Sequence, residues 1–274
     1  MLRARVLTAT ILLVFLAAVL FWAPGEGWRW TVLALCLLSA WEWAGLARMH
    51  KGGAVLYVAF TALLIGGVAW AAGHDESARW LKSLFLLSVV FWVGVVPFWL
   101  ARGWRVTHPA LLAMTGWVVI LPTGFSLLVL RLPGPWVLLM FMALVWFSDT
   151  AAYFAGRRWG RHKLAPSISP GKTWEGVVGA LFVVACYALV LRDQVRLPVL
   201  RGIIESEGAL WVPLMLGLAV LGVEGDLFES WVKRCAGVKD SGKLLPGHGG
   251  ILDRIDALTS TLPVVAWLML ENSR

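Results

Sequence analysis

Nine apolar runs, each close to the length of a bilayer-crossing helix, constrain this chain more than any other feature. They lie at roughly 6–23, 29–47, 54–72, 81–100, 109–130, 134–155, 175–192, 209–225 and 256–271. About 20 apolar residues in helical form cross the hydrocarbon core. In lipid every backbone N–H and C=O must be paired within the segment, so helices are the form open to these runs. The chain is 59% hydrophobic and only 15% charged, which lies outside the range of a soluble domain. The expected fold is therefore all-α, a polytopic membrane protein of about nine transmembrane helices. The first run, ending at Phe21-Trp22-Ala23, is long for a signal peptide and ends without a small-x-small cleavage site, so it reads as an uncleaved first helix.

The cations orient these helices. With the N-terminus inside, sixteen of the 24 Lys and Arg residues fall in inward segments, including Arg3, Arg48, Arg102, Arg161 and Lys239. The outward set is Arg29, Arg79, Lys82, Arg131, Arg192, Arg196, Arg201 and Arg274. The excess of inward cations predicts a cytoplasmic N-terminus and an outward C-terminus. Eighteen Trp suit aromatic belts at both interfaces. A net charge of +8 would suit nucleic acid, but the cations sit between apolar runs, so nucleic acid is not expected. Cys36, Cys186 and Cys235 lie far apart without a CxxC pair, which points to neither a disulfide framework nor zinc.

One polar stretch, Glu224 to Asp256, sits between the last two runs. It holds Glu224, Asp226, Glu229, Asp240, Asp253 and Asp256 beside Lys233, Arg234, Lys239, Lys243 and Arg254, with a Pro-Gly-His-Gly-Gly turn between them. Carboxylates gather hard cations such as Mg²⁺, Lys and Arg gather phosphate oxygens, and glycines let backbone approach a ligand. Asp226 is expected to close the eighth run, and Asp253 and Asp256 to open the ninth on one helix face. With a 26-residue polar loop between them, Asp226 and Asp253 should become neighbours that repel unless a cation joins them. Lys233, Arg234 and Lys239 read as triphosphate contacts, whereas Lys243 reads as an ordinary basic residue facing anionic lipid. His248 reads as a metal ligand or, equally, as a turn or phosphate residue.

A second cluster covers Gly156 to Thr173, read as a loop leading into the seventh run. Its Ser-Pro-Gly-Lys-Thr end is not a Walker A loop, because Pro166 stands where that motif needs glycine. Ser169, Lys172 and Thr173 are assigned to substrate phosphate at a helix N-terminus, with Lys163 assisting. Asp149, within an apolar run, faces the site or pairs with a loop cation. Glu42, between Trp41 and Trp43, has either an inter-helix or a site role.

The pattern Ser230-x-x-Lys233-Arg234-x4-Lys239-Asp240-Ser241, then Leu245-Pro246-Gly247-His248-Gly249-Gly250-x-x-Asp253-Arg254-x-Asp256, resembles the signature of the phosphatidate cytidylyltransferase (CDP-diacylglycerol synthase) family. The resemblance extends to Gly225-Asp226-Leu227, to Asp149-Thr150-Ala151-Ala152-Tyr153, and to the segment from Lys163 to Trp174. It is specific over about residues 145–265. It implies transfer of CMP from CTP to phosphatidate in a bacterial-type inner membrane, with the active site facing the cytoplasm. It also implies Asp226 and Asp253 as ligands of Mg²⁺, Asp256 as an outer or second-ion carboxylate, K⁺ as a second ion, and a homodimer. The expected catalytic set is Asp226, Asp253, Lys233 and Lys239. The expected substrate contacts are Ser169, Lys172, Thr173, Ser230, Arg234, Asp240, His248, Gly249 and Arg254. Residues 1–140 form an N-terminal helical region of about five spans. Residues 141–274 form the catalytic region, with cytoplasmic loops 156–174 and 226–255. A CTP-dependent transferase or kinase acting on an isoprenoid or ether lipid is the alternative within enzymes. A secondary transporter is the alternative outside them, but it should carry midplane charges and internal repeats, which this sequence lacks.

Overall fold

The structure, a computed structural model, describes residues 2–71, 77–196, 198–245 and 247–272. Ala72 at the end of the third run, Pro246 of the turn and Arg274 of the outward set lie outside them. The chain forms α1 (Leu2–Trp22), α2 (Gly25–Leu46), α3 (Lys51–Ala71) and α4 (Ser77–Val89). A π-helical segment (Val90–Val95) joins α4 to α5 (Val96–Arg102). Next come α6 (Pro109–Arg131) and α7 (Pro135–Trp159), the strands β1 (Lys163–Ala165) and β2 (Ser169–Thr173), and α8 (Trp174–Gln194). The chain ends with α9 (Pro198–Glu207), α10 (Trp211–Ala236) and α11 (Leu252–Asn272). Among the described residues, five helical stretches are long and apolar enough to cross a membrane: Arg79–Arg102, Pro109–Arg131, Pro135–Trp159, Trp174–Gln194 and Leu200–Ala236. This is the architecture of an all-α membrane protein.

The central helix is α11, which packs against α10, α6, α4, α7 and α2. Every residue from Ala257 to Ala266 is buried, so this helix meets protein on all sides. That setting lets it carry Thr259, Ser260 and Thr261, whose hydroxyls donate to the carbonyls of Asp256, Leu221 and Ala257 respectively. Small residues bring α10 close: a Cβ on Gly225 would run into Ser260 Oγ and the Asp256 carbonyl. Such close approach is how helices bond in the absence of a hydrophobic drive between them. One turn along α10 from Gly225, Phe228 stands edge-on to Phe91, Trp92 and Trp99, with ring centroids 5.4–5.5 Å apart. The π-helical segment presents Phe91 and Trp92 to this aromatic cluster, which fixes how α10 is turned.

Two local expectations are corrected. Asp226 does not close a helix, because α10 continues ten residues further, to Ala236. Its last turns are amphipathic: Asp226, Glu229, Ser230 and Lys233 share one face at helical spacing, while Phe228, Trp231 and Val232 are buried. Averaged hydropathy reads such a segment as loop. The polar connection accordingly shrinks to the residues between α10 and α11. Likewise, 163–173 is a hairpin and not an open loop, with Lys163 opposite Thr173 and Ala165 opposite Ser169. Pro166 presets the turn, the Ile168 amide donates to the Ala165 carbonyl at 3.1 Å, and buried Ile168 pins the tip.

Candidate active site

The hairpin ends where α8 begins. Thr173 caps α8, its hydroxyl accepting from the Gly176 amide at 3.1 Å, and it is buried against Gly156 and Gly160 of the α7 end. A threonine oxygen here replaces a lost helical partner. That bond uses an acceptor lone pair of the Thr173 hydroxyl and leaves its proton to donate. Lys172 is thereby held beside α10, where its ammonium lies 2.7 Å from Asp226 Oδ2 and donates to the Val223 carbonyl. Ser230 Oγ, one turn on, donates to Asp226 Oδ1 at 3.2 Å. Arg234 Nε reaches the Ile168 carbonyl at 3.4 Å, tying α10 to the hairpin tip.

A second ion pair lies deeper. Lys233 Nζ sits 2.5 Å from Asp253 Oδ1 and 3.5 Å from Glu229 Oε1, and its side chain is 9% exposed, so a single buried cation stands between two acids. The other Asp253 oxygen accepts from the Ser241 and Gly250 amides at 2.9 and 2.8 Å, and the Ser241 hydroxyl lies 2.9 Å from it. Asp253 stands ahead of the apolar part of α11. Burial alone pushes its carboxyl up, but the Lys233 hydrogen bond and the Gly250 and Ser241 amides more than offset this and hold it below its ordinary value. Asp226 and Asp253 are therefore not left as unpaired carboxylates: Lys172 neutralises the first and Lys233 the second.

Asp256, one turn into α11, lies within the electrostatic reach of Asp226, Lys233 and Asp149. Asp149 on α7 in turn senses Asp226, Lys172 and Arg254. The motif segments from four parts of the sequence therefore meet in one charged cluster at one end of the bundle. The loop between α10 and α11 folds over it. Leu245 pairs with Gly249, and the His248 amide donates to the Leu245 carbonyl. Gly249 has φ +79°, and a Cβ there would strike Asp253, so no other residue fits that turn. His248 Nδ1 is buried without a partner. Lys239, Asp240 and Arg254 are exposed and stand free of the two ion pairs.

Two residues were not assigned from the sequence. Glu229 is 4% exposed, and neither carboxylate oxygen has a hydrogen-bond partner; its signal was its position four residues before Lys233. Glu42 of α2 is buried and bonds the loop and the start of α11. Its signal was an acid inside an apolar run. It brings the N-terminal region to a site otherwise built from residues 149–256.

The donor set fits a hard divalent cation in kind. Asp149, Asp226, Glu229, Asp253 and Asp256 outnumber Lys172, Lys233 and Arg254, and all offer oxygen. Among the described residues no three His, Cys, Asp or Glu side chains converge as a metal cage. Mg²⁺ does not require one, because it commonly takes one or two carboxylates together with water and substrate phosphate.

Comparison with known proteins accords with this picture. The phosphatidate cytidylyltransferase of Pseudomonas aeruginosa is 37% identical over 284 residues, covering 98% of this chain and 97% of that protein. That of Haemophilus influenzae is 33% identical, covering 97% of this chain and 98% of that protein. That of Thermotoga maritima is 32% identical, with 96% and 94% covered. The model of the cytidylyltransferase family matches residues 3–271. Two lysine–aspartate pairs at one end of a helical bundle are thus set within a match that runs almost from end to end, and the chain belongs to the cytidylyltransferase family.

Proposed function

We propose that this chain is a CTP:phosphatidate cytidylyltransferase. A phosphate oxygen of phosphatidate attacks the α-phosphorus of CTP, the bond to the β-phosphate oxygen breaks, pyrophosphate leaves, and CDP-diacylglycerol stays in the membrane. The observation that carries this reading is the pairing of Lys172 with Asp226 and of Lys233 with Asp253 in one charged cluster, together with the full-length likeness to proteins of that name. The attacking phosphate is already an anion, so the barrier is repulsion between two polyanions. Positioned cations answer it by electrostatic stabilisation, which accounts for a site rich in lysine and aspartate. Exposed Lys239 and Arg234 meet the triphosphate. Lys172 exchanges its Asp226 partner for substrate phosphate, and Ser169, Ser230, Asp240, His248, Gly249 and Arg254 line the same space.

Mg²⁺ would be held by Asp226 and Asp253 together with water and substrate phosphate, with Asp256 as an outer or second-ion carboxylate and K⁺ as the second ion, and when bound it supplies charge neutralisation and orientation for phosphoryl transfer. Asp253 contributes to such a site once Lys233 releases its Oδ1. The fold is read as nine spans with the N-terminus inside and the C-terminus outside, in a bacterial inner membrane with the site facing the cytoplasm. The inward excess of cations supports that orientation, and a homodimer rests on the family resemblance alone. Purified protein in detergent, given radiolabelled CTP, phosphatidate and Mg²⁺, should form a CMP-bearing lipid and pyrophosphate. Absence of that lipid product from folded protein would overturn the reading.

A further inference from the structure

Glu42 lies some two hundred residues in sequence from the loop before α11 and from the start of α11, yet its carboxylate bonds both. Oε1 accepts from the Ile251 amide at 2.9 Å. Oε2 accepts from the Leu252 amide at 2.9 Å and lies 3.0 Å from Ser241 Oγ. The first two bonds satisfy donors at the start of α11 that no helical carbonyl reaches, and a carboxylate there also opposes the positive end of the helix. The loop is shaped around this group, since a Cβ on Gly242 would strike Glu42, and one on Gly250 would strike both Glu42 and Ser241 Oγ.

Ser241 links Glu42 to Asp253. Its hydroxyl lies 3.0 Å from Glu42 Oε2 and 2.9 Å from Asp253 Oδ2, but a hydroxyl has one proton to donate. Asp253 Oδ2 already accepts from the Ser241 and Gly250 amides, so the hydroxyl proton is best spent on Glu42. Ser241 then spans the two acids, with its O–H on Glu42 and its N–H on Asp253.

We propose that Glu42 is a positioning residue for the transfer reaction, acting through Ser241 and the first turn of α11 to set the Asp253 carboxylate against Lys233. This rests on the cytidylyltransferase reading for what the site does, but the clamp itself is a matter of geometry. Glu42→Gln keeps size and one acceptor oxygen but turns an NH₂ toward amide donors. Ser241→Ala removes only the link. Each should lower kcat per folded molecule by roughly ten- to a hundred-fold, with KM for CTP within about twofold, because neither residue is among the expected nucleotide contacts. Because the two act in series, the double variant should be no worse than the poorer single one. Hydrogen–deuterium exchange of the peptide covering 247–256 should rise in Glu42→Gln as the Ile251 and Leu252 amides lose their acceptor.

Unchanged kcat in Ser241→Ala, or losses that multiply in the double variant, would overturn the positioning role and leave Glu42 a plain helix staple. If Glu42→Gln cannot be recovered folded, Ser241→Ala decides the matter by the same kcat. If the wild type transfers no CMP at all, the functional reading fails separately. Exchange then judges the clamp, and unaltered exchange in Glu42→Gln overturns it.

Discussion

Removing Lys233 should damage this protein far more than removing Asp253. The side chain of Lys233 is 9% exposed, and its ammonium lies 2.5 Å from Asp253 and 3.5 Å from Glu229. Lys233→Met keeps the apolar stem but leaves two buried carboxylates without a cation. Breaking a buried ion pair by deleting one partner costs about 3–5 kcal/mol, which lowers the apparent melting temperature by about 6–20 °C for a chain of this order of size. Asp253→Asn leaves Lys233 its second partner, Glu229, and the asparagine oxygen still accepts from the Ser241 and Gly250 amides. Its cost should be about 1–2 kcal/mol. The double variant should recover part of the Lys233→Met loss, since one uncompensated charge is gone. The assay is the fraction of monodisperse protein left after stepped heating in detergent, with all three variants at the same lipid and salt content. A Lys233→Met protein that melts within about 2 °C of wild type, or one that melts above Asp253→Asn, would refute the reasoning that one cation serves two buried acids.

Two further outcomes follow from the same geometry. Lys239 is exposed and stands free of both ion pairs, so Lys239→Ala should leave melting unchanged while lowering kcat/KM for CTP by roughly ten- to a hundred-fold, the worth of one charge-assisted contact; an unchanged kcat/KM returns this lysine to an ordinary lipid-facing role. Single cysteines placed at Lys172 and Lys243, in a background lacking Cys36, Cys186 and Cys235, should react with an impermeant thiol reagent from the cytoplasmic side, and a cysteine at Glu205 from the other; labelling of 172 and 243 from opposite sides would rule out a single site built from both clusters.

The apolar runs and the spaced signature were enough, by themselves, to indicate a helical membrane protein, the family, and a concentration of charged residues within 149–256. The reason is physical: lipid leaves apolar runs one backbone solution, and phosphate chemistry demands cations and hard oxygens in number. What the sequence could not show is which charge meets which. Lys172 and Asp226 are 54 residues apart in the numbering, and Lys233 has acids on both sides of it in the chain. Only the approach of α10 to α11 at Gly225, and of the hairpin to α10, selects the pairs. The helical course of 226–236 was hidden because one face is charged and the other packs on an aromatic cluster, a distinction that averaging along the chain erases. Glu42 was visible as an acid in an apolar run, but its partners are backbone amides of a loop two hundred residues away, and amides look alike in every sequence. Long-range backbone acceptors of this kind are decided by tertiary packing alone.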